Sequence, residues 1–535
     1  MKRRILMIVL ALVGLTSAVQ FFAPAKAQAF PGFARKYNFP CTFCHIAWPK
    51  LSDQGNYFHD RGFMLSTTGR GNGLDMMAFQ PQNQNYWPLA WRTTVGYTGT
   101  VLNGIAGDPA GNGSHANGGY AGTGNTTGVD FLSGGLLNSY TSWWLVPTVP
   151  ADGTFQIESA WVRFDNLLNT SWLNLKVGKS AMDAPFSVHR SLQLVFPYAM
   201  YNYVPGTPWI ASEAAAGGTG VLPLAAYFDA DQFAMANHHY GLQYFGYQFE
   251  NGCGTTKGFS LDPCETRLTL EFLVNSQPNG QNNDFNGFTP QPNGANTQYN
   301  YANNGFSYYA HLTQSFGGWG ATNGERIGLF ALVGEESPLP GAGVGNTNPQ
   351  VVFNREGFDL AANPIPNGGL NIFGAFEVAQ DPTGLISINP TFGAGATQSG
   401  AEYMSWFLEA DWMPTFGGLF KTAGSGSNMI AFLYNQVNML QQPTFTGMQN
   451  LPGDFGNVLS FDITDRYWLW ASNRTDVTLH FEYQFMLNYG VGSSVDALGN
   501  ITGFNHTTTT AGNFSTGSFY NAESSNFLVG IDFAY

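Results

Sequence analysis

The feature that most constrains this chain is a two-residue alternation of apolar and polar side chains over segments of about ten residues. In Val477–Leu487, Val477, Leu479, Phe481, Tyr483, Phe485 and Leu487 alternate with Thr478, His480, Glu482, Gln484 and Met486. Residues 267–274 repeat the pattern, with Leu268, Leu270, Phe272 and Val274 set against Arg267, Thr269 and Glu271. The chain closes on Phe527-Leu528-Val529-Gly530-Ile531-Asp532-Phe533-Ala534-Tyr535, apolar at odd positions and aromatic at the last. Successive side chains of a strand point to opposite faces, so each segment makes a strand with one apolar and one polar side.

Composition narrows what such strands can build. Only 10% of the residues are charged, against roughly 25% in soluble domains. Aromatic residues reach 15%, and 66 of the 535 residues are glycine. A net charge of −14 excludes nucleic acid as a partner, since phosphate binding needs clustered Lys and Arg. Four cysteines are too few for a disulfide-built scaffold. Residues 1–29 read as a secretory signal peptide: Lys2, Arg3 and Arg4, an apolar core from Ile5 to Leu15, then Ala25-Lys26-Ala27 and Ala27-Gln28-Ala29. That core falls short of the ~20 residues needed to span a bilayer. Its removal takes four basic residues and no acids, leaving an exported chain more negative still. No later stretch has the length of apolar sequence that a transmembrane helix requires, so any membrane crossing falls to strands.

Only helices and closed barrels can span hydrocarbon, because every backbone polar group must find a partner inside the protein. Besides 267–274, 477–487 and 527–535, candidate strands lie near 89–101, 139–147, 154–165, 171–179, 237–249, 305–315, 325–335, 349–361, 369–380, 401–412, 427–438 and 457–470. Gly/Asn/Thr/Pro-rich stretches at 102–127, 276–304, 338–348 and 488–524 read as long polar loops. Bacterial barrels favour even strand numbers, which predicts an all-β transmembrane antiparallel barrel of about 16 strands. The aromatic ending resembles the C-terminal strand of bacterial outer-membrane proteins, which places the protein in the outer membrane in contact with lipid. The expected organisation is a signal peptide (1–29), an N-terminal segment (30–80) and a porin-like barrel (81–535).

The N-terminal segment carries Cys41-Thr42-Phe43-Cys44-His45, the C-x-x-C-H spacing of c-type haem attachment. Two thiols at this spacing add to the vinyl groups along one edge of the macrocycle, and His45 becomes the proximal iron ligand. A thioredoxin-like pair would want a βαβ setting, a zinc site would want four spaced ligands, and a plain disulfide does not call for the histidine. The motif occurs once, so one haem c is expected, held as the plug of the barrel. For the sixth ligand the candidates are His59 and Met64, with Met76 and Met77 further on. The remaining pair, Cys253 and Cys264, reads as a loop disulfide. His238 and His239 are adjacent on a strand, point to opposite faces, and read as interface or lumen residues.

Phe33-Ala34-Arg35-Lys36-Tyr37 precedes the motif, and Trp48-Pro49-Lys50-Leu51, Gly55, Phe58 and Gly62-Phe63 follow it. This stretch resembles the start of the fused cytochrome–porin proteins of iron-oxidising bacteria. Val177-Gly178-Lys179, Pro185-Phe186 and Arg190 are similar to a phrase in the same barrels. The resemblance departs at Gln54, where an aromatic is usual, and at Phe58-His59-Asp60-Arg61, which lacks the usual asparagine. It implies a monohaem cytochrome housed in a porin-like barrel. It further implies electron transfer from extracellular Fe(II) to a periplasmic c-type cytochrome, an Fe(II):cytochrome c oxidoreductase activity. An outward conduit to extracellular acceptors, or a transport porin with a structural or sensory haem, would use the same parts.

Overall fold

The computed structural model describes residues 33, 37, 41–45, 50, 51, 53–64, 89–103, 114–116, 128–150, 155–184, 198–206, 227–229, 233, 235, 238–249, 265–274, 305–316, 325–336, 351–365, 370–388, 397–413, 428–446, 454–471, 475–492 and 519–534. The expected signal peptide, the Cys253–Cys264 pair, Met76, Met77 and the terminal Tyr535 lie outside these residues.

Sixteen strands close into one antiparallel barrel. In chain order they are β1 (Ala90–Asn103), β3 (Gly128–Asn138), β4 (Thr141–Pro150), β5 (Gln156–Phe164), β6 (Asn174–Ala181), β8 (His238–Phe249), β9 (Glu265–Val274) and β10 (Phe306–Ser315). The circuit continues through β11 (Arg326–Glu336), β12 (Val351–Ile365), β13 (Leu370–Asp381), β15 (Ala401–Trp412), β16 (Asn428–Gln441), β17 (Val458–Ala471), β18 (Asp476–Gly492) and β19 (Phe519–Ala534). Short strands β2 (Ser114–Ala116), β7 (Tyr227–Asp229) and β14 (Ile386–Ile388) complete the set, β2 pairing with β1 and β7 with β14. The seam is β1 against β19, in register from Arg92↔Ala534 to Asn103↔Glu523. Across it, Thr94 donates to Asp532 at 2.7 Å, and Arg466 of β17 pairs with the same carboxylate.

The alternation becomes an inside-out sorting. On β18 the even positions Asp476, Thr478, His480, Glu482, Gln484, Met486 and Asn488 are buried, while the odd apolar positions stand half-exposed on the outer wall. On β11, Arg326, Gly328, Phe330, Leu332 and Gly334 face in, whereas Ile327, Leu329 and Val333 face out, with Leu329 60% exposed. Large apolar side chains that a soluble protein would hide thus coat the exterior, and polar ones are hidden inside.

Every candidate strand appears, most within a few residues of the expected bounds though β19 begins well ahead of 527, and among the sixteen barrel strands β3 is the one not anticipated. Two expected loops are shorter than read: β18 runs to Gly492 and β19 begins at Phe519, inside 488–524, and the stretch 102–127 holds β2 and the end of β1.

The two ends of the barrel differ. Where β1 begins and β19 ends, the connections include the brief 139–140, 366–369 and 472–475, and the longest there are 250–264 and 413–427. At the opposite end lie the long ones, including 104–127, 182–237, 275–305 and 493–518. Outer-membrane barrels carry short turns on the periplasmic side and long loops outside. The connection between β6 and β8 also folds inward. Its helix α3 (Ala199–Asn202) is bracketed by Tyr198, whose hydroxyl donates to Glu409 at 2.6 Å, and Tyr203, whose hydroxyl donates to the carbonyl of Gly456 at 2.8 Å. Tyr198 packs on the inward ring of Phe407 at 4.4 Å and Tyr203 on Tyr403 at 4.9 Å.

Candidate functional site

The motif residues form one helical turn. Helix α1 (Cys41–Cys44) is extended by the amide of His45, which donates to the carbonyl of Cys41 at 2.9 Å. His45 then bridges Leu51 in a single antiparallel contact that folds the chain back into α2 (Asp53–Asp60). The two helices touch at Gly55, where a Cβ would stand 2.0 Å from the carbonyl oxygen of Cys44. Cys41 and His45 are buried and Cys44 half-buried; both cysteines are free thiols. Burial pushes both thiols upward, Cys44 to about 12.

Helix α2 ends in a paired hydrogen-bond cap. Phe63 N–H reaches the carbonyl of Phe58 at 2.8 Å and Gly62 N–H that of His59 at 3.2 Å, a Schellman motif with the glycine in the left-handed conformation (φ 62°). The accompanying apolar contact is Phe63 on Phe58, ring centres 5.6 Å apart. Phe33 joins both rings, at 4.9 Å from Phe58 and 4.8 Å from Phe63. Phe63 in turn stacks on the inward-facing Trp161 of β5 at 5.7 Å, with Trp144 of β4 beside it at 5.3 Å. The aromatic residues scattered along the N-terminal sequence thus make one cluster that pins the segment to the inner wall.

Ionic contacts tie the segment to other arcs of the same wall. Arg61 pairs with Glu265 at 2.8 Å, Asp60 with Arg267 at 3.2 Å, and Arg163 donates to the Asp60 carbonyl at 2.5 Å. Lys50 is fully buried between Glu409, at 2.9 Å, and Asp411, both inward-facing on β15. Burial alone would lower its pKa, but the two carboxylates outweigh that and hold it above the ordinary lysine value. Cys41 lies in the field of Asp476 at the start of β18. The described N-terminal residues therefore occupy the lumen, and their wall contacts cluster towards the short-turn end.

A small cavity of about 50 Å³ opens beside α2. It is rimmed by Leu51, Asn56, His59 and Asp60 and walled by β4, β5, β6, β8 and β9. His59 is part-exposed and its Nδ1 lies 3.1 Å from Asp60 Oδ1. Met64 is fully buried and does not line the cavity. Of the adjacent histidines, His239 stacks on Phe233 at 4.4 Å and His238 lies 3.9 Å from Glu158; both are buried.

Sequence reasoning marked Lys50, Gly55, Phe58, Gly62 and Phe63 without saying what each meets, and the structure supplies their partners. It placed Arg267 on the polar face of its strand, which is where the cavity is. It passed over Lys176, Arg163 and Asp183, whose convergence depends on strand pairing rather than spacing. Among the described residues, no three His, Cys, Asp or Glu side chains gather to hold a bare metal ion.

No family model matches the chain, and no curated protein matches it. Among solved structures it is similar to the outer membrane channel DcaP of Acinetobacter baumannii, with 9% identity, 83% of this chain and 96% of that one covered, and a TM-score of 0.40. It is also similar to OprB of Pseudomonas putida (10%, 83% and 94%, 0.38) and to OmpT, an outer membrane protein of Vibrio cholerae (9%, 84% and 97%, 0.36). The membrane assignment rests on the molecule itself: a closed antiparallel barrel with an apolar exterior and a polar interior satisfies the backbone in hydrocarbon without any edge. The protein is a porin-like barrel of the bacterial outer membrane.

Proposed function

We propose that the protein is a monohaem cytochrome–porin, an electron conduit carrying one haem c on Cys41 and Cys44 with His45 as the proximal ligand. In this reading it takes electrons from extracellular Fe(II) and delivers them to a periplasmic c-type cytochrome. The observation that carries the reading is the position of the thiol–thiol–imidazole turn, on a segment clamped to three arcs of the inner wall of a closed barrel. The chemistry of the donor set fits the group: two thiols one helical turn apart and an imidazole immediately after them. When bound, the haem supplies a one-electron couple between its ferric and ferrous states.

The chain's own residues do the rest. Cys41 and Cys44 would hold the group on α1, and Gly55 lets α2 pack directly behind them. Of the two candidates for a second protein ligand, His59 would hold the iron better than Met64, because Asp60 stands 3.1 Å from its Nδ1, where a carboxylate orients a ligating histidine. Lys50, Arg61 and Asp60 hold the segment against the wall. The contacts lie towards the short-turn end, which suits exchange with a periplasmic partner, and the chain's net charge of −14 attracts Fe²⁺ and a basic cytochrome by long-range steering.

The test is a stopped-flow record of haem reduction by Fe(II) at controlled pH, on protein whose covalent haem has been established by mass spectrometry. Reduction coupled to Fe(III) formation is the expected result. A native protein without a porphyrin adduct, or a haem of such low potential that Fe(II) leaves it oxidised, defeats the reading. Cys44→Ala and His45→Ala are expected to abolish electron transfer while the barrel still assembles.

A further inference from the structure

The connection between β6 and β8 enters the lumen through apolar packing and is pinned near its start by one residue. Met182, Ala184, Met200 and Phe233 of this connection share a buried cluster with the inward-facing Phe330 and Phe353 of the wall. Asp183, beside the first two, is held by three of its atoms. Its N–H donates to Glu271 at 2.7 Å, and its Oδ2 accepts from Thr269 at 2.5 Å. Its carbonyl oxygen accepts from the Tyr309 hydroxyl at 3.0 Å and faces Nδ1 of His311 at 2.9 Å. The other ring nitrogen, Nε2, stands 2.8 Å from Oδ2 of Asp359, whose Oδ1 accepts from Arg326 at 2.8 Å. His311 and Asp359 are both buried. Gly328 of β11 leaves room for the pair, since a Cβ there would stand 2.8 Å from His311 Nε2 and closer still to the carboxylate.

The protons can be counted. A backbone carbonyl only accepts, so the Nδ1 facing it carries a proton; a carboxylate already paired with Arg326 also only accepts, so Nε2 carries another. The ring is thus an imidazolium wedged between two acceptors. A neutral ring has one proton for the two places. It keeps that proton on the charged partner, Asp359, and then turns a lone pair on the Asp183 carbonyl.

We infer that His311 is a proton-held latch on the β6–β8 connection: charged, it ties Asp183 to the inner wall, and on losing its proton it lets the start of the connection leave that wall. The groups facing the ring are Asp183 itself, Arg267 and Glu271 on β9, Tyr309 on β10, Arg326 on β11 and Asp359 on β12. Of these and His311, the imidazole is the one that ordinarily titrates near neutral pH. The stabilisation belongs to a cation, so it is complete at low pH and is lost as pH rises through the folded-state value. The latch involves no haem and stands whether or not the cytochrome reading does.

The experiment is limited chymotrypsin digestion of the full-length protein in detergent micelles across mildly acidic to alkaline pH. Cuts between residues 182 and 237 are located by mass spectrometry, and rates are normalised to a short unstructured peptide at each pH. Wild type is expected to be cut about tenfold faster once the ring is neutral, the ratio that losing a hydrogen bond to a charged group brings. His311→Gln, which offers one donor and one acceptor as the neutral ring does, is expected to be cut at the faster rate throughout. Asp359→Asn, which removes the charge beside Nε2, moves the wild-type transition to lower pH and serves should the glutamine variant assemble poorly. Nitrogen NMR of the histidine rings reads the charge directly, the His311 signal being the one missing from His311→Gln. A neutral His311 ring at a pH where the connection is protected overturns the inference. So does a digestion profile of His311→Gln or Asp359→Asn that follows wild type.

Discussion

A methyl group on Gly55 would stand 2.0 Å from the Cys44 carbonyl oxygen, and backbone cannot yield as a flexible side chain can. Gly55→Ala is therefore expected to prise α2 from α1 and reduce the haem-to-protein absorbance ratio, with strand content by circular dichroism unchanged. Lys50 makes a different kind of contact. Removing one partner of a buried ion pair costs about 3–5 kcal/mol, because the charge left behind is uncompensated. Lys50→Met should destabilise the plug by that order, read as earlier proteolysis of the N-terminal segment in a urea series. Combining it with Glu409→Gln and Asp411→Asn should recover most of the loss. Because the Lys50 pKa is raised on folding, its stabilisation is complete below the ordinary lysine value and fades only as pH rises through the higher folded value. The clamp should thus withstand mildly alkaline conditions.

At the scale of elements, the strands were legible wherever the alternation was clean, and β3 shows what blurs it. Its sequence Gly128–Asn138 places Leu136 inside and Leu137 outside, so both faces are apolar, and Gly134 and Gly135 contribute no side chain to sort. Its register against β4 also shifts between Leu136 and Asn138. Period-two reasoning has nothing to grip there, and only closure of the circuit reveals the strand. The helical cap at Gly62 was visible only as a motif, since the reason for glycine is three-dimensional: φ of 62° and a Cβ that would meet Ser142 Oγ at 2.5 Å. Gly62→Ala is expected to destabilise the end of α2 by about 1 kcal/mol from backbone strain alone, and by more from the wall contact. Faster hydrogen exchange confined to residues 53–64 would show it. The Cys41–His45 motif stands out in sequence because the proposed haem attachment would fix residue types at fixed spacing. The cavity does not, because Arg163, Lys176 and Arg267 meet across three separate strands.

At the scale of the molecule, the lumen is occupied twice: by the N-terminal segment towards the short-turn end, and by Tyr198–Gly206 with β7 further towards the loops. Buried side chains such as Asn435, Ser460 and Gln484 are sealed on the inner wall. The reconstituted barrel should therefore pass little ion current. Deleting residues 30–80 should raise conductance only in part, and a further deletion within the β6–β8 connection should open it fully; planar-bilayer recordings on the three proteins check that order. A freely conducting wild type would contradict an insulated interior. The same enclosure sets a timetable for biogenesis. Cys41 is all but inaccessible once Lys50 and Phe63 are seated against opposite arcs of the wall, so any covalent attachment to this thiol, such as the haem proposed above, has to be completed while the polypeptide is still open in the periplasm, before the first and last strands zip together.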